Sequence, residues 1–364
     1  MKLHLIFVGN KFIYNNSLKE YVQRSISKSF DFIDNITFFK ESDNTLFLHL
    51  DALLNTDLKL IIVTSKQNFS TIGKVICTIT EDNQVLKDTM LIPSESYVYE
   101  EGSYLLEYKQ STINVIHVDE MQKFPKLLLE SDNSKEVLNI FEEDEESLRA
   151  ILNPMAQTYD LRLDIFTLVE GWIQVNITSK KYGEISKFIK SAKQLLPSKI
   201  IQTEDMATYI IQKLTHYNKK ITFAESCTGG LLSYYFTSKN GASNILDGAL
   251  VTYSNEIKAN WLAVEESTLE EYGAVSAPVV KEMAEGAINV SEADYALSIS
   301  GIAGDTGGTV EKPVGTVFIG IKNNKASLEM HLQLSGDRNY VQNQSVLYAV
   351  KLLLLSDKDI FFEI

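Results

Sequence analysis

Hydrophobic and polar positions alternate between two rhythms along this chain, and the changes of rhythm mark its organisation. Met1–Val8 reads as a buried strand, and the largely apolar run Leu58–Thr64 (LKLIIVT) as a strand of a parallel sheet. Between them, Leu18, Tyr21, Val22 and Ile26 recur at helical spacing and predict a helix over Leu18–Ser29, and Leu46–Leu54 predicts a second. Gly9-Asn10 reads as a turn. After Ser65 the pattern reads as β-rich and irregular, ending in a strand near Ile113–Val118 and a short helix around Lys126–Glu130.

The polar stretch Glu130–Lys135 is the first linker. A strand near Val137–Phe141 follows, then a helix opened by the acidic run Glu142–Glu146, whose charge suits the positive end of a helix dipole. Leu161–Leu168 and Trp172–Thr178 read as strands paired across Glu170-Gly171, and Tyr182–Leu196 as a closing helix before the boundary Pro197-Ser198. From Asp205 the rhythm is α/β: a helix over Met206–Tyr217, the strand Ile221–Glu225, a Gly-Gly turn and another helix. No internal repeat or low-complexity tract interrupts this order.

A length of 364 residues predicts two or three domains, and 45% apolar with 23% charged residues is ordinary for a folded protein. A net charge of −14 argues against a general nucleic-acid binder, which needs a basic stripe, although one local pocket can still hold a phosphate. Cys77 and Cys227 form no C-x-x-C pair, so neither a zinc knuckle nor a disulfide framework is expected. The amino-terminal apolar run has no cleavage-site pattern, and no apolar segment reaches the roughly 20 residues of a membrane span. The expectation is a cytoplasmic protein without a membrane partner.

Four segments carry candidate chemistry. Thr222–Gly230 (TFAESCTGG) joins a strand to a helix, where α/β sheets place ligands and where helix-start amides favour an oxyanion or phosphate. Ser226 or Thr228 there reads either as a helix cap or as a reactive hydroxyl, and Gly229 and Gly230 either as packing residues or as room for a ligand. Cys227 reads as an activated thiol or as an inert small apolar residue.

Gly248–Lys258 (GALVTYSNEIK) predicts a strand over Ala249–Tyr253, a cap at Ser254-Asn255, and Lys258 in the first helical turn. A lysine at the positive helix end either points away into solvent or has its charged form disfavoured, which makes it a usable base. Tyr295–Gly304 is a buried strand ending at Ser300 and a glycine-rich turn running on through Asp305–Gly308; Val314–Ile321, entered through Lys312-Pro313, is another strand. Ser335–Arg338 precedes a helix and could set a guanidinium against a phosphate.

Together, AESCTGG (224–230), VTYSNEIK (251–258), YGAVSAPVV (272–280), SISGIAG (298–304), KPVGTVF (312–318) and SGDR (335–338) resemble the successive motifs of the CinA C-terminal domain, over about residues 204–355. The resemblance implies a metal-independent, cofactor-free serine amidase that deamidates nicotinamide mononucleotide to nicotinate mononucleotide and ammonia, a step of pyridine-nucleotide salvage. Carried onto this sequence, it implies Ser226 as nucleophile, Tyr253 and Lys258 as catalytic partners, Ser300 as an oxyanion- or substrate-side hydroxyl, and Arg338 as the phosphate-binding residue. Thr228, Gly229, Gly230, Gly301 and Gly304 join Arg338 on the substrate side. In that scheme Lys258, neutral at attack, takes the proton of Ser226, Tyr253 relays or orients it, and Ser300 with the amides after Ser226 stabilises the oxyanion. A Ser-His-Asp triad fits worse, since His216 and His331 lie outside these clusters.

The implied architecture is α/β throughout: a three-layer α/β/α domain over 1–130 resembling molybdopterin-binding proteins, a small KH-like α+β unit over 136–198, and the three-layer α/β amidase domain over 204–364. The front domain departs from its family. Full-length relatives carry a T-G-G-x-G-P-T turn followed by acidic residues, and this chain has Thr64–Ser70 (TSKQNFS) there, with Lys66 in place of a backbone cradle. Its ADP-ribose pyrophosphatase activity is therefore expected to be lost, leaving dimerisation or positioning as its work. The KH-like unit shows an acidic helix start and no Gly-x-x-Gly clamp, so RNA is not expected. The expected partners are the small nucleotide and a second copy in a homodimer. The alternative function is a competence- or damage-associated scaffold with an idle amidase pocket.

Overall fold

The computed structural model describes residues 2–30, 32–131, 134–179 and 183–362. Met1, Tyr182, the linker residues Asp132 and Asn133, and the terminal Glu363 and Ile364, all inside segments assigned above, lie outside the described residues. The chain divides into two compact units, Met1–Ser134 and Lys135–Ile364.

The first unit is a three-layer α/β/α body. Its six-stranded sheet runs in the order 35–39, 2–8, 58–64, 111–117, 103–108, 98–100; the first four strands pair in parallel, and the last two are added through antiparallel pairings. All seven residues of Leu58–Thr64 are buried, because helices cover both faces of the strand. Ile6, Leu60 and Ile62 pack against Leu50, Phe69, Ile72 and Ile76 on one side. Leu5, Phe7, Ile61 and Val63 pack against Leu18, Val22 and Ile26 on the other.

Three expectations for this unit are corrected. The region after Ser65 opens with a 15-residue helix, Lys66–Thr80. Its sequence is rich in β-branched residues, but Phe69, Ile72, Ile76 and Ile79 share one buried face at helical spacing, and that packing overrides local preference. Lys126–Glu130 is not a helix; it is an irregular strap whose Leu128 and Leu129 amides donate to Asn114 Oδ1. Gly9-Asn10 leads into a short helix, Asn10–Tyr14, held by buried Phe12.

The second unit contains two sheets. A four-stranded antiparallel sheet, in the order 161–169, 172–179, 135–141, 200–202, carries the helices Glu145–Thr158 and Ile185–Leu195. A five-stranded sheet follows in the order 249–251, 221–225, 295–301, 316–322, 327–333; the first three strands pair in parallel, and the last two are added through antiparallel pairings. Helices Asn255–Leu262, Glu266–Tyr272 and Ala277–Ser291 cover one face around Ala224, Met283 and Ala296. Helices Met206–His216, Leu231–Thr237 and Arg338–Ser356 cover the other, where Phe141 and Trp172 of the smaller sheet join the same core. No helix among the described residues is long and apolar enough to cross a membrane.

Two strands are shorter than the sequence predicts. Ala249–Val251 stops before Thr252 and Tyr253, whose carbonyls are drawn to Lys258. The strand expected from Val314 starts at Thr316, because Gly315 adopts φ +91° and an added Cβ there would meet Leu334 O at 1.8 Å.

Candidate active site

The site gathers where the parallel strands of the five-stranded sheet end. Ile221–Glu225 is buried at all five positions and delivers Ser226 to the rim. The Ser226 amide donates to Ile299 O of one neighbouring strand (2.9 Å), and Thr252 N donates to Glu225 O from the other (2.8 Å). The serine is thus fixed between two strand ends.

Lys258 meets it there. Ser254 caps the helix Asn255–Leu262 by accepting from Ile257 N, which sets Lys258 one turn in with its side chain turned back to the strand ends. Its Nζ lies 3.1 Å from Ser226 Oγ and donates to Thr252 O (2.8 Å) and Tyr253 O (3.1 Å). The lysine is 1% exposed and forms no ion pair among the described residues. Burial pushes its pKa down to about 8. In the neutral amine the two N–H bonds serve the carbonyls, and the lone pair is left for the serine proton.

The other predicted residues divide. Cys227 is buried against the sheet and its thiol is pushed up to about 12 by desolvation, the state of an inert small residue. Tyr253 is 62% exposed; its hydroxyl accepts from Arg338 Nη2 (2.9 Å), so its side chain joins the arginine rather than the serine–lysine pair. Arg338 is the first residue of its helix, and an added Cβ on Gly304 would sit 2.9 Å from its Nη1, so Gly304 gives the guanidinium room. Gly301 packs under Cys227: a Cβ there would meet Val317 Cγ2 at 2.8 Å and Cys227 Sγ at 3.1 Å. Ser300 is buried and its hydroxyl donates to Ala274 O (2.7 Å), which turns its proton away from Ser226.

The turn itself differs most from expectation. The amides at the start of helix Leu231–Thr237 are not open to a ligand, because Thr228 O takes that of Leu231 and Glu225 takes the others. Its carboxylate accepts from Gly230 N (3.0 Å), Leu232 N (3.0 Å), Ser233 N (2.8 Å), Ser233 Oγ (2.5 Å) and Thr228 Oγ1 (2.7 Å). Gly229 N donates to Ser226 O (3.1 Å). Gly229 and Gly230, at φ +59° and +102°, are needed for the turn's shape, and a Cβ on Gly229 would meet nothing within 4 Å. The amides of Cys227 and Thr228 have no partner among the described residues. Sequence reasoning passed over Glu225, although a carboxylate closing an otherwise uncharged buried strand must find donors nearby. It also passed over Gln342, which donates to Cys227 O (2.6 Å) and steadies the far side of the turn. Among the described residues no group of three or more His, Cys, Asp or Glu side chains could hold a metal ion.

This set of strand-end motifs has relatives. The family described as CinA C-terminal domain matches residues 203–356. Residues 203–356 of this chain belong to the CinA family. A Thermoanaerobacter sp. (strain X514) protein named "Putative competence-damage inducible protein" is 34% identical over 287 residues, 76% of this chain and 65% of that relative. A "CinA-like protein" of Thermotoga neapolitana is 37% identical over 225 residues, 60% of this chain and 54% of that relative. The chain therefore spans less than two thirds of the length of these curated CinA relatives. Among solved structures, the competence/damage inducible protein CihA from Agrobacterium tumefaciens is 35% identical, with a TM-score of 0.41, over 42% of this chain and 94% of that one.

Proposed function

We propose that the CinA domain of this chain is a serine amidohydrolase that converts nicotinamide mononucleotide to nicotinate mononucleotide and ammonia. One observation carries this reading: a buried, desolvated lysine held by two carbonyls within hydrogen-bond reach of a serine at a strand end. A lysine kept only for stability gains nothing from such a place, since burying its charge without a carboxylate partner is costly.

In this reading neutral Lys258 accepts the proton of Ser226 as Oγ attacks the carboxamide carbon. The oxyanion is taken by the amides of Cys227 and Thr228, the two open donors of the turn. Collapse breaks the C–N bond, the proton passes from Lys258 to the leaving nitrogen, and ammonia departs. Water, deprotonated by the same lysine, then releases the acid from the acyl-serine. Arg338, with Tyr253 beside it, lies at the exposed rim to take the phosphate and so sets the distance from phosphate to scissile bond. Tyr253 thereby acts on substrate placement rather than on proton transfer.

The test is ammonia release from nicotinamide mononucleotide by the full chain and by Ser226→Ala. The wild type is expected to turn over and the folded variant to fall to background. Near-full activity in the variant rejects the serine mechanism, and no activity in either favours the scaffold alternative. For the front unit, Ser65 and Lys66 stand where a phosphate cradle would be, and no turnover of ADP-ribose with a divalent metal is expected from the full chain.

A further inference from the structure

We propose that Glu225 is the positioning residue of the nucleophile turn, an assignment that rests on Ser226 being the nucleophile. Glu225 immediately precedes Ser226, is 0% exposed, and is satisfied by five donors, none of them a cation. One carboxylate oxygen holds Thr228 Oγ1, Gly230 N and Leu232 N; the other holds Ser233 N and Oγ. The carboxylate thus ties the residue before the serine to four positions after it. Ser226 cannot move relative to the start of the following helix without breaking charge-assisted hydrogen bonds.

The consequence for chemistry is twofold. Capping of the helix is taken over by Glu225, so the Ser226 hydroxyl is left for Lys258. Pinning the Thr228 side chain also fixes its backbone, and with it one of the two open amides that follow Ser226. A displacement of about 1 Å at such a centre costs on the order of a hundredfold in rate. A glutamine cannot replace the carboxylate, because its NH2 group would face donors on one side or the other.

The experiment measures the reactivity of Ser226 itself, with phenylmethylsulfonyl fluoride as probe and intact mass and peptide mapping as readout. The serine oxygen bonds to sulfur, the S–F bond breaks, fluoride leaves and Lys258 takes the proton. Glu225→Gln is expected to label roughly 10- to 100-fold more slowly per folded molecule, with the midpoint of the pH dependence unchanged. Thr228→Ala, a milder cut at one of the five bonds, is expected to slow labelling several-fold, with Thr228→Ser restoring it. A folded Glu225→Gln that labels at the wild-type rate overturns the assignment, and so does a shifted pH midpoint, which would mean that Glu225 acts on Lys258. Wild type that labels at Ser226 yet releases no ammonia from nicotinamide mononucleotide rejects the substrate and leaves this assignment standing. A wild-type Ser226 that does not label rejects both.

Discussion

The two units contain the same joint built in two ways. In the first, the central strand Leu58–Thr64 passes directly into the helix Lys66–Thr80, and Ser65 between them is spent as the cap, its Oγ accepting from Asn68 N (3.3 Å). In the second, Ile221–Glu225 reaches its helix through five residues, two of them glycines at positive φ, and the cap is the last side chain of the strand. A serine stands right after the strand in both. It is structural in one and free in the other, and what frees it is a carboxylate one residue earlier. A serine at a strand-to-helix joint is therefore informative only once the residue that caps the helix is known.

The largest effect that sharpens this contrast is expected at Lys258, the group that the front joint lacks. Lys258→Met is expected to lower kcat on nicotinamide mononucleotide by roughly 10²- to 10⁴-fold. In the wild type the rate should rise with pH through about 8, as the buried ammonium loses its proton, and then level off. The variant's residual activity should show no such rise. A variant that keeps the rise assigns the titration to another group.

The same lysine gives the second effect, in stability. Its pKa in the folded chain, about 8, lies below the ordinary 10.5. Between those values the unfolded chain holds a proton that the folded chain has released, so wild-type stability rises with pH across that window and is lost again as pH falls through 8. Relative to Lys258→Met, the wild type should gain about 3 kcal/mol between pH 7.5 and 10.5, because each pH unit inside the window adds about 1.4 kcal/mol. Urea midpoints of both proteins at the two pH values measure it. Parallel curves would mean that Lys258 is not desolvated.

How much of this was legible depends on where the determining contact lies in the sequence. Pattern sufficed for the buried strands Leu58–Thr64 and Ile221–Glu225, because both faces are covered and apolar residues stand on both. It failed at Lys66–Thr80, where β-branched residues mimic a strand and only packing on Leu60 and Ile62 selects the helix. In the site, strand-end motifs led to Ser226, Lys258 and Arg338. Three contacts were not legible: Tyr253 paired with Arg338, which is 85 positions away, Ser300 turned to Ala274 O, and the Gly229-Gly230 turn closed from within by Glu225. Each depends on where a side chain points, and residue type alone does not fix that.

Arg338 provides the third effect and separates rim from centre. Arg338→Ala removes charge-assisted donors and is expected to raise KM for the mononucleotide roughly 10- to 100-fold, with a smaller change in kcat. The corresponding riboside, which has no phosphate, should be hydrolysed equally by wild type and variant. If kcat falls as far as kcat/KM for both substrates, Arg338 belongs to the proton-transfer machinery and not to the rim.

The smallest effect tests the comparison of the two joints directly. Ser65→Ala removes a true cap and should cost about 1 kcal/mol, seen as faster hydrogen exchange at the Asn68 amide and a lower midpoint of the first unit, with amidase activity untouched. The same substitution at Ser226 should do the reverse. Because Glu225 holds the amides of Leu232 and Ser233, their protection should survive in Ser226→Ala while the chemistry is lost. Loss of protection at those two amides would show that Ser226 shares the capping after all, and the contrast between a spent serine and a free one would collapse. Retained protection together with lost turnover would mean that the second joint separates what the first one merges: one residue closes the helix and its neighbour is left to react.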